Sequence, residues 1–353
     1  MSGQARPPVE RVVLRAPNWL GDAVLALPAM AAVRRAYPKA ELTVAAPAHL
    51  AGLFREGTDV RPDHVLDLPE AHRAAVAAIA AGRFDLGILF PNSFRSAWQL
   101  RRAGMAQRWG YATAGRGWLL TRKSRTPDRS AEPRHHADYF RALVRGLDLP
   151  CDDAPPRLVV SAASAGQASG LLAPRGAPRA PIVGFAPGAA YGQAKQWPAD
   201  RVAAVIARLV SERGATCVIL GAGGDRDASR AIESWLRARA PEARPHVIDL
   251  VGRTTLGALA AVAARCDVVV SNDSGAMHVA AAVGCPVVAV FGPTDERATR
   301  PLGAHDVLTA AVFCRPCHLR DCPIDHRCMK RIPADRVFDA VAGRLTMPEP
   351  TAP

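Results

Sequence analysis

The chain has 353 residues, enough for two domains of ordinary size, and 49% of them are hydrophobic, enough for two buried cores. Its formal net charge of +13 predicts attraction to something anionic: nucleic acid, a membrane surface or a phosphorylated substrate. Mean hydropathy is near zero at +0.01, no basic leader with an Ala-x-Ala site is visible, and Gly284 and Pro286 divide the longest uncharged run, Ser274–Thr294. These features predict a cytoplasmic protein with no export signal and no transmembrane helix.

The first predicted strand, Arg11–Arg15, runs into Arg15-Ala-Pro-Asn-Trp-Leu-Gly-Asp22 and then a helical pattern over Ala23–Tyr37. Pro17 and Gly21 allow a tight loop, which puts Asp22 at the helix N-cap, where open α/β sheets bind ligands. As a cap alone it contributes about 1 kcal/mol. Strands at Glu41–Ala45, His64–Asp67, Leu86–Phe90 and Gln107–Tyr111 follow, with helices at Glu70–Ala81 and Ser93–Ala103. This alternation predicts a parallel sheet flanked by helices.

Between Arg95 and Arg134 the charge is lopsided. Arg95, Arg101, Arg102, Arg108, Arg116, Arg122, Lys123, Arg125, Arg129 and Arg134 face only Asp128 and Glu132, with Trp98, Trp109 and Trp118 interleaved. The segment reads either as a solvated face or as a basic, aromatic-edged surface for an anionic acceptor at a membrane. Residues 151–180 are rich in Ala, Ser, Gly and Pro and read as a linker between domains 1–150 and 181–353, with a short strand at Arg157–Val160.

Alternation restarts with strands at Ile182–Ala186, Thr216–Leu220, His246–Leu250, Val268–Ser271 and Pro286–Phe291. Helices are expected at Asp200–Arg213, Arg226–Arg239, Leu256–Arg265, Gly275–Val283 and Ala334–Leu345. In Phe185-Ala-Pro-Gly-Ala-Ala-Tyr-Gly-Gln-Ala-Lys195, Gly188 and Gly192 leave backbone free to approach a ligand. Lys195 is placed to reach a phosphate as a point charge, or is a solvated surface lysine. In Ser271-Asn-Asp273-Ser274-Gly275-Ala-Met-His278 a buried strand opens into a helix whose free N–H groups suit an anion. Asp273 then holds a sugar hydroxyl or fixes the loop, and His278 is a donor-side group or a core histidine. Phe291-Gly292-Pro-Thr294-Asp295 returns a second loop to the same sheet edge.

Gly221-Ala222-Gly-Gly lacks the third glycine of a dinucleotide fingerprint, which disfavours a dehydrogenase. Asp225-Arg-Asp227 has a metal-binding spacing but sits at a helix start, and no metal site is expected there. No helix-turn-helix, zinc-finger or RNA-binding aromatic motif accompanies the charge, so nucleic acid is not an expected partner. Four of the eight cysteines crowd into Cys314-x2-Cys317-x4-Cys322-x5-Cys328, a spacing that suggests a metal or plain thiols before disulfides.

Together, Arg15–Asp22, Gly188–Pro198, Asn272–His278 and Phe291–Thr294 resemble the ADP-heptose:lipopolysaccharide heptosyltransferases along almost the whole chain. The cysteine tail resembles their type II branch. The resemblance implies the GT-B fold, two Rossmann-like doubly wound domains facing each other across a cleft. It implies inverting, metal-independent, cofactor-free transfer from an ADP-heptose donor to a lipid A-core acceptor. That acceptor lies on the inner face of the inner membrane. By family match Asp22 is the base, Lys195 the phosphate contact, and Asp273, Ser274, Gly275 and His278 the donor side. Ala190, Tyr191, Ala222 and Gly292 are further donor-loop candidates, and Arg95, Arg101 and Arg102 form the acceptor and membrane surface. Type I enzymes carry Thr-Thr where this chain has Ala190-Tyr191, which leaves those phosphate contacts to backbone or Tyr191.

Overall fold

The computed structural model describes residues 9–127, 135–173 and 181–346. It divides into two units, Met1–Arg157 and Leu158–Pro353.

The amino-terminal unit has strands β1 (Arg11–Arg15), β2 (Glu41–Pro47), β3 (His64–Leu68), β4 (Leu86–Leu89), β5 (Gln107–Tyr111) and β6 (Arg122–Ser124). They form one parallel sheet in the order β3-β2-β1-β4-β5-β6, with Arg15 opposite Ala45 on one side and Leu89 on the other. Val12, Val13 and Leu14 are fully buried, as expected for a parallel strand covered on both faces. Its helices of six residues or more are α1 (Leu20–Leu25), α2 (Leu27–Ala36), α3 (His72–Ala81), α4 (Phe94–Arg102) and α5 (His136–Arg145). The single helix expected over 23–37 is broken at Ala26 because Pro28, in the first turn of α2, has no N–H to continue the ladder. The sequence reading passes over α5, although Ala137, Phe140, Leu143 and Val144 give it a buried stripe at helical spacing against α2.

The carboxy-terminal unit repeats the plan with β7 (Ile182–Ala186), β8 (Thr216–Ile219), β9 (Val247–Asp249), β10 (Val268–Asn272), β11 (Val287–Val290) and β12 (His305–Leu308). Its parallel order is β9-β8-β7-β10-β11-β12. Both sheets therefore have the 3-2-1-4-5-6 order of the Rossmann fold. Their topological switch points lie between β1 and β4 and between β7 and β10. The segment expected as a linker carries helix α6 (Ala162–Leu172), which packs on α9 (Leu256–Ala263). Its Ala, Ser and Gly content reads as flexible chain, but Ser161 caps the helix through Ser164 N at 3.2 Å. Small residues let it lie close to the equally small-sided α9, where Gly257, Ala258, Ala260 and Ala261 are buried. The remaining helices are α7 (Ala199–Arg213) and α8 (Arg226–Arg239), before α9, then α10 (Gly275–Ala282), α11 (Glu296–Thr299), α12 (Arg327–Lys330) and α13 (Ala334–Thr346).

Arg116, read as part of a basic surface, is fully buried. Its Nε donates to Tyr111 O at 2.9 Å, and its Nη1 donates to Pro91 O at 2.5 Å and Ser96 Oγ at 3.2 Å. Burial lowers its pKa to about 10, so it is still a cation at neutral pH. It ties β5 to the loop after β4, and its role is architectural. Replacing Arg116 with Met leaves buried acceptors unmatched and is expected to destabilise the amino-terminal unit by about 3 kcal/mol. Arg102→Met, on the surface, is expected to change stability by less than about 0.5 kcal/mol. Chemical denaturation of the two variants checks the contrast.

Candidate active site

At the switch point of the amino-terminal sheet, β1 ends in a loop gathered by Arg15. This side chain is 8% exposed, and its guanidinium donates to Ala16 O and, at 2.7 Å, to Asn18 Oδ1. Burial, reinforced by the nearby charge of Arg95, lowers its pKa to about 10. The loop delivers the chain into α1 three residues earlier than expected, at Leu20 and not Ala23. Trp19 occupies the N-cap, without a side-chain cap bond, and Asp22 lies inside the first turn. The expectation that Asp22 caps this helix is therefore corrected. Its carboxylate is one-third exposed (33%), with Oδ1 3.4 Å from Nδ1 of His136, at the start of α5. His136 carries no motif signal. Trp19, three residues before Asp22 in the chain, is 52% exposed.

At the switch point of the carboxy-terminal sheet, the loops after β7, β10 and β11 converge on one carboxylate. Asp273, 5% exposed, accepts from Lys195 Nζ at 2.6 Å and from Thr294 Oγ1 at 2.7 Å on the same oxygen. Lys195 also lies 4.6 Å from the centre of the Tyr191 ring. The hydroxyl of Tyr191 donates to His318 O at 2.7 Å, so Tyr191 offers Lys195 an aromatic face and its OH is already engaged. Asn272 bolts the first two loops together: its Nδ2 donates to Pro187 O at 2.6 Å and its Oδ1 accepts from Trp197 N at 3.1 Å. Ser274 is the N-cap of α10 and makes no side-chain cap bond, which leaves the first-turn N–H groups beside Lys195's partner open to an anion. Ser274 and Gly275 are half-buried, and His278, one turn on, is buried.

Other expectations are placed differently. A Cβ on Gly188 would lie 2.1 Å from the carboxyl of Asp225, and one on Gly192 would lie 2.4 Å from Arg320 O. These glycines make room for the protein's own atoms, not for a ligand. Asp225 accepts from Ala222 N at 2.8 Å, while Asp227 points to solvent and pairs with Arg230, so the two carboxylates of the Asp-x-Asp triplet serve separate ends. Gly292 is buried under Met329, and its carbonyl accepts from Arg315 Nε at 2.7 Å. Ala190 and Ala222 are exposed on their loops.

The cysteine segment carries the second finding that the sequence did not signal. Arg320 O accepts from Ala194 N at 2.9 Å, and His326 Nε2 lies 2.7 Å from Ala194 O. Pro293 O accepts from the backbone N–H of both Cys317 and His318 at 2.9 Å. One segment thus laces together the loop of Lys195 and the loop of Thr294. All eight thiols are free; Cys317 and Cys322 are exposed and Cys328 is buried. In the core of the unit, burial pushes the thiol of Cys285 up to about 12, which makes it unreactive at neutral pH.

Of the basic segment, Arg129 and Arg134 lie outside the described residues. Arg108 is turned onto backbone carbonyls, its Nε donating to Leu119 O at 2.7 Å, and Arg122 pairs with Asp148. Arg95 is exposed and donates to Glu70 O, and Arg101, Arg102, Lys123 and Arg125 are exposed.

The sequence model of glycosyltransferase family 9 (heptosyltransferase) matches residues 72–327. Lipooligosaccharide heptosyltransferase 2 of Haemophilus ducreyi is 30% identical over 322 residues, covering 84% of this chain and 88% of that protein. Lipopolysaccharide heptosyltransferase 2 of Escherichia coli K12 is 30% identical over 306 residues, covering 83% and 85%. The solved structure of E. coli ADP-heptose LPS heptosyltransferase II matches with a TM-score of 0.81 at 28% identity, covering 95% of this chain and 98% of that one.

Proposed function

The chain belongs to glycosyltransferase family 9, the heptosyltransferases, and from that premise we propose that it transfers L-glycero-D-manno-heptose from ADP-heptose to the first heptose of the lipopolysaccharide inner core. The acceptor is then heptosyl-Kdo2-lipid A, and transfer is inverting and metal-independent. The observation that carries this reading is the knot of Lys195, Asp273 and Thr294 beside the uncapped start of α10. It gathers a half-buried cation and free N–H groups at the sheet's switch point, where a diphosphate is best held.

In the proposed reaction an acceptor hydroxyl attacks the anomeric carbon as its proton passes to the Asp22 carboxylate. The bond from that carbon to the diphosphate oxygen breaks in the same displacement, so the configuration inverts. ADP leaves with its new charge against Lys195 and the N–H groups at Ser274 and Gly275. The exposed ring of Trp19, three residues before the base in the chain, offers an acceptor sugar a flat apolar face. Among the described residues no helix is long and apolar enough to cross a membrane, and a lipid-borne acceptor places the enzyme peripherally on the cytoplasmic face of the inner membrane.

The test has two arms. Lipopolysaccharide from a strain lacking the protein should carry a core truncated after one heptose, by mass spectrometry. Purified protein given a panel of ADP- and UDP-sugars, with and without EDTA, should release ADP from ADP-heptose alone and at an unchanged rate with EDTA. A different preferred sugar nucleotide would instead make it a family member with another donor or acceptor.

A further inference from the structure

We propose that the start of α4 and the turn Gly117–Leu119 form a foot that seats the amino-terminal unit on an anionic bilayer surface. The inference rests on the reading above only in that a lipid-borne acceptor gives such a foot its use.

Three rings make up the foot. Phe94, Trp98 and Trp118 lie with their centroids 6.2 Å apart in each pairing. Trp98 roots the group by packing against the buried cluster that includes Leu100, Met105 and Leu119. The other two rings face outward, Phe94 41% exposed and Trp118 59% exposed. Large apolar side chains gathered in one exposed patch are a standing cost in water, which a partner surface removes. Aromatic rings of this kind settle at the headgroup level of a bilayer.

Cations accompany the rings. The Arg101 guanidinium lies 5.3 Å from the centre of the Trp118 ring, so that cation and ring are presented together. Arg102, Lys123 and Arg125 are exposed on the same stretch of chain, without an ion pair among the described residues. Cations in this position each favour an anionic lipid surface. A nucleic acid would meet the same charges, but Phe94 and Trp98 stack on each other and Trp118 is tilted by 51° and 59° against them, so the rings form one cluster and not a row of platforms for successive bases.

Full-length protein sedimented with vesicles of phosphatidylglycerol and phosphatidylethanolamine tests the foot. Wild type should bind these vesicles, release them as salt rises, and bind phosphatidylcholine vesicles much more weakly. Phe94→Ala/Trp118→Ala and Arg101→Glu/Arg102→Glu should each weaken binding about tenfold or more. Brominated lipid should quench wild-type tryptophan fluorescence more than that of the Trp118→Ala protein. The ring variant should keep near-wild-type turnover on a deacylated, water-soluble acceptor and lose it on acceptor embedded in vesicles. Equal vesicle binding by wild type and the ring variant overturns the proposal. So does concentration-dependent dimerisation that the ring variant abolishes, or DNA binding at physiological salt that it abolishes. Vesicle binding is read without any sugar donor, so it stands or falls apart from the heptosyl reaction.

Discussion

Asp22→Asn is expected to lower turnover by about 10²–10⁴, the range for losing a general base. An acceptor hydroxyl is a poor nucleophile at neutral pH, and a carboxylate must take its proton as the new bond forms. The asparagine has the same shape but no basic oxygen. The structure removes the competing explanation, because Trp19 is the N-cap and the Asp22 side chain satisfies no helix donor there. Melting temperature and ADP binding should therefore stay close to wild type. His136, 3.4 Å away, provides the control. His136→Ala removes the neighbour but not the base, and its loss should be smaller than that of Asp22→Asn. Steady-state kinetics on the purified variants decide the matter. An Asp22→Asn enzyme retaining more than about a tenth of wild-type turnover is incompatible with the role.

Lys195→Met is expected to lower turnover by about 10²–10³, as for the loss of one preorganised donor to developing charge. The lysine is poised for this by its neighbours: the Asp273 carboxylate on one side and the Tyr191 ring on the other. Removing it has a second effect. Asp273 is 5% exposed, and its charge would stay buried with the Thr294 hydroxyl but without its cation, so the single variant should also be less stable. The two effects separate in Lys195→Met/Asp273→Asn, which removes both charges together. That variant should recover most of the lost stability and none of the lost turnover. Recovery of turnover in the double variant would show that the lysine serves only to balance the aspartate.

Much of this architecture is legible in the sequence. The strands Gln107–Tyr111 and Ile182–Ala186 and the helix Arg226–Arg239 fall on their expected residues, because short β-branched or aromatic runs and long amphipathic runs are local signals. The loops that end β1, β7, β10 and β11 were legible for the same reason: a strand that stops at Gly, Pro, Asn or Asp before a helix marks the sheet edge where ligands bind. What was not legible depends on neighbours far along the chain. Gly188 and Gly192 resemble ligand clearances until Asp225 and Arg320 are found in the space. Arg116 resembles its surface neighbours until Pro91 and Tyr111 are found around it. Helix Ala162–Leu172 resembles a linker because a face of small residues is recognisable only beside the equally small face of Leu256–Ala263. Asp22 stands in a different local setting from the one expected, since a helix that starts three residues earlier, at Leu20, leaves its carboxylate in the first turn and not at the cap.

The lacing of the two donor loops by the cysteine segment has a consequence for how that side of the molecule breathes. Ala194 N–H is held by Arg320, and the N–H groups of Cys317 and His318 are both held by Pro293. None of these amides can be released without loosening the same short stretch of chain. The loops therefore share a single opening event, and their protons should exchange with solvent deuterium at one common free energy, as one cooperative unit distinct from the sheet beneath. Cutting one lace, by Gly192→Ala against the Arg320 backbone, should speed exchange at His318 as well as at Ala194.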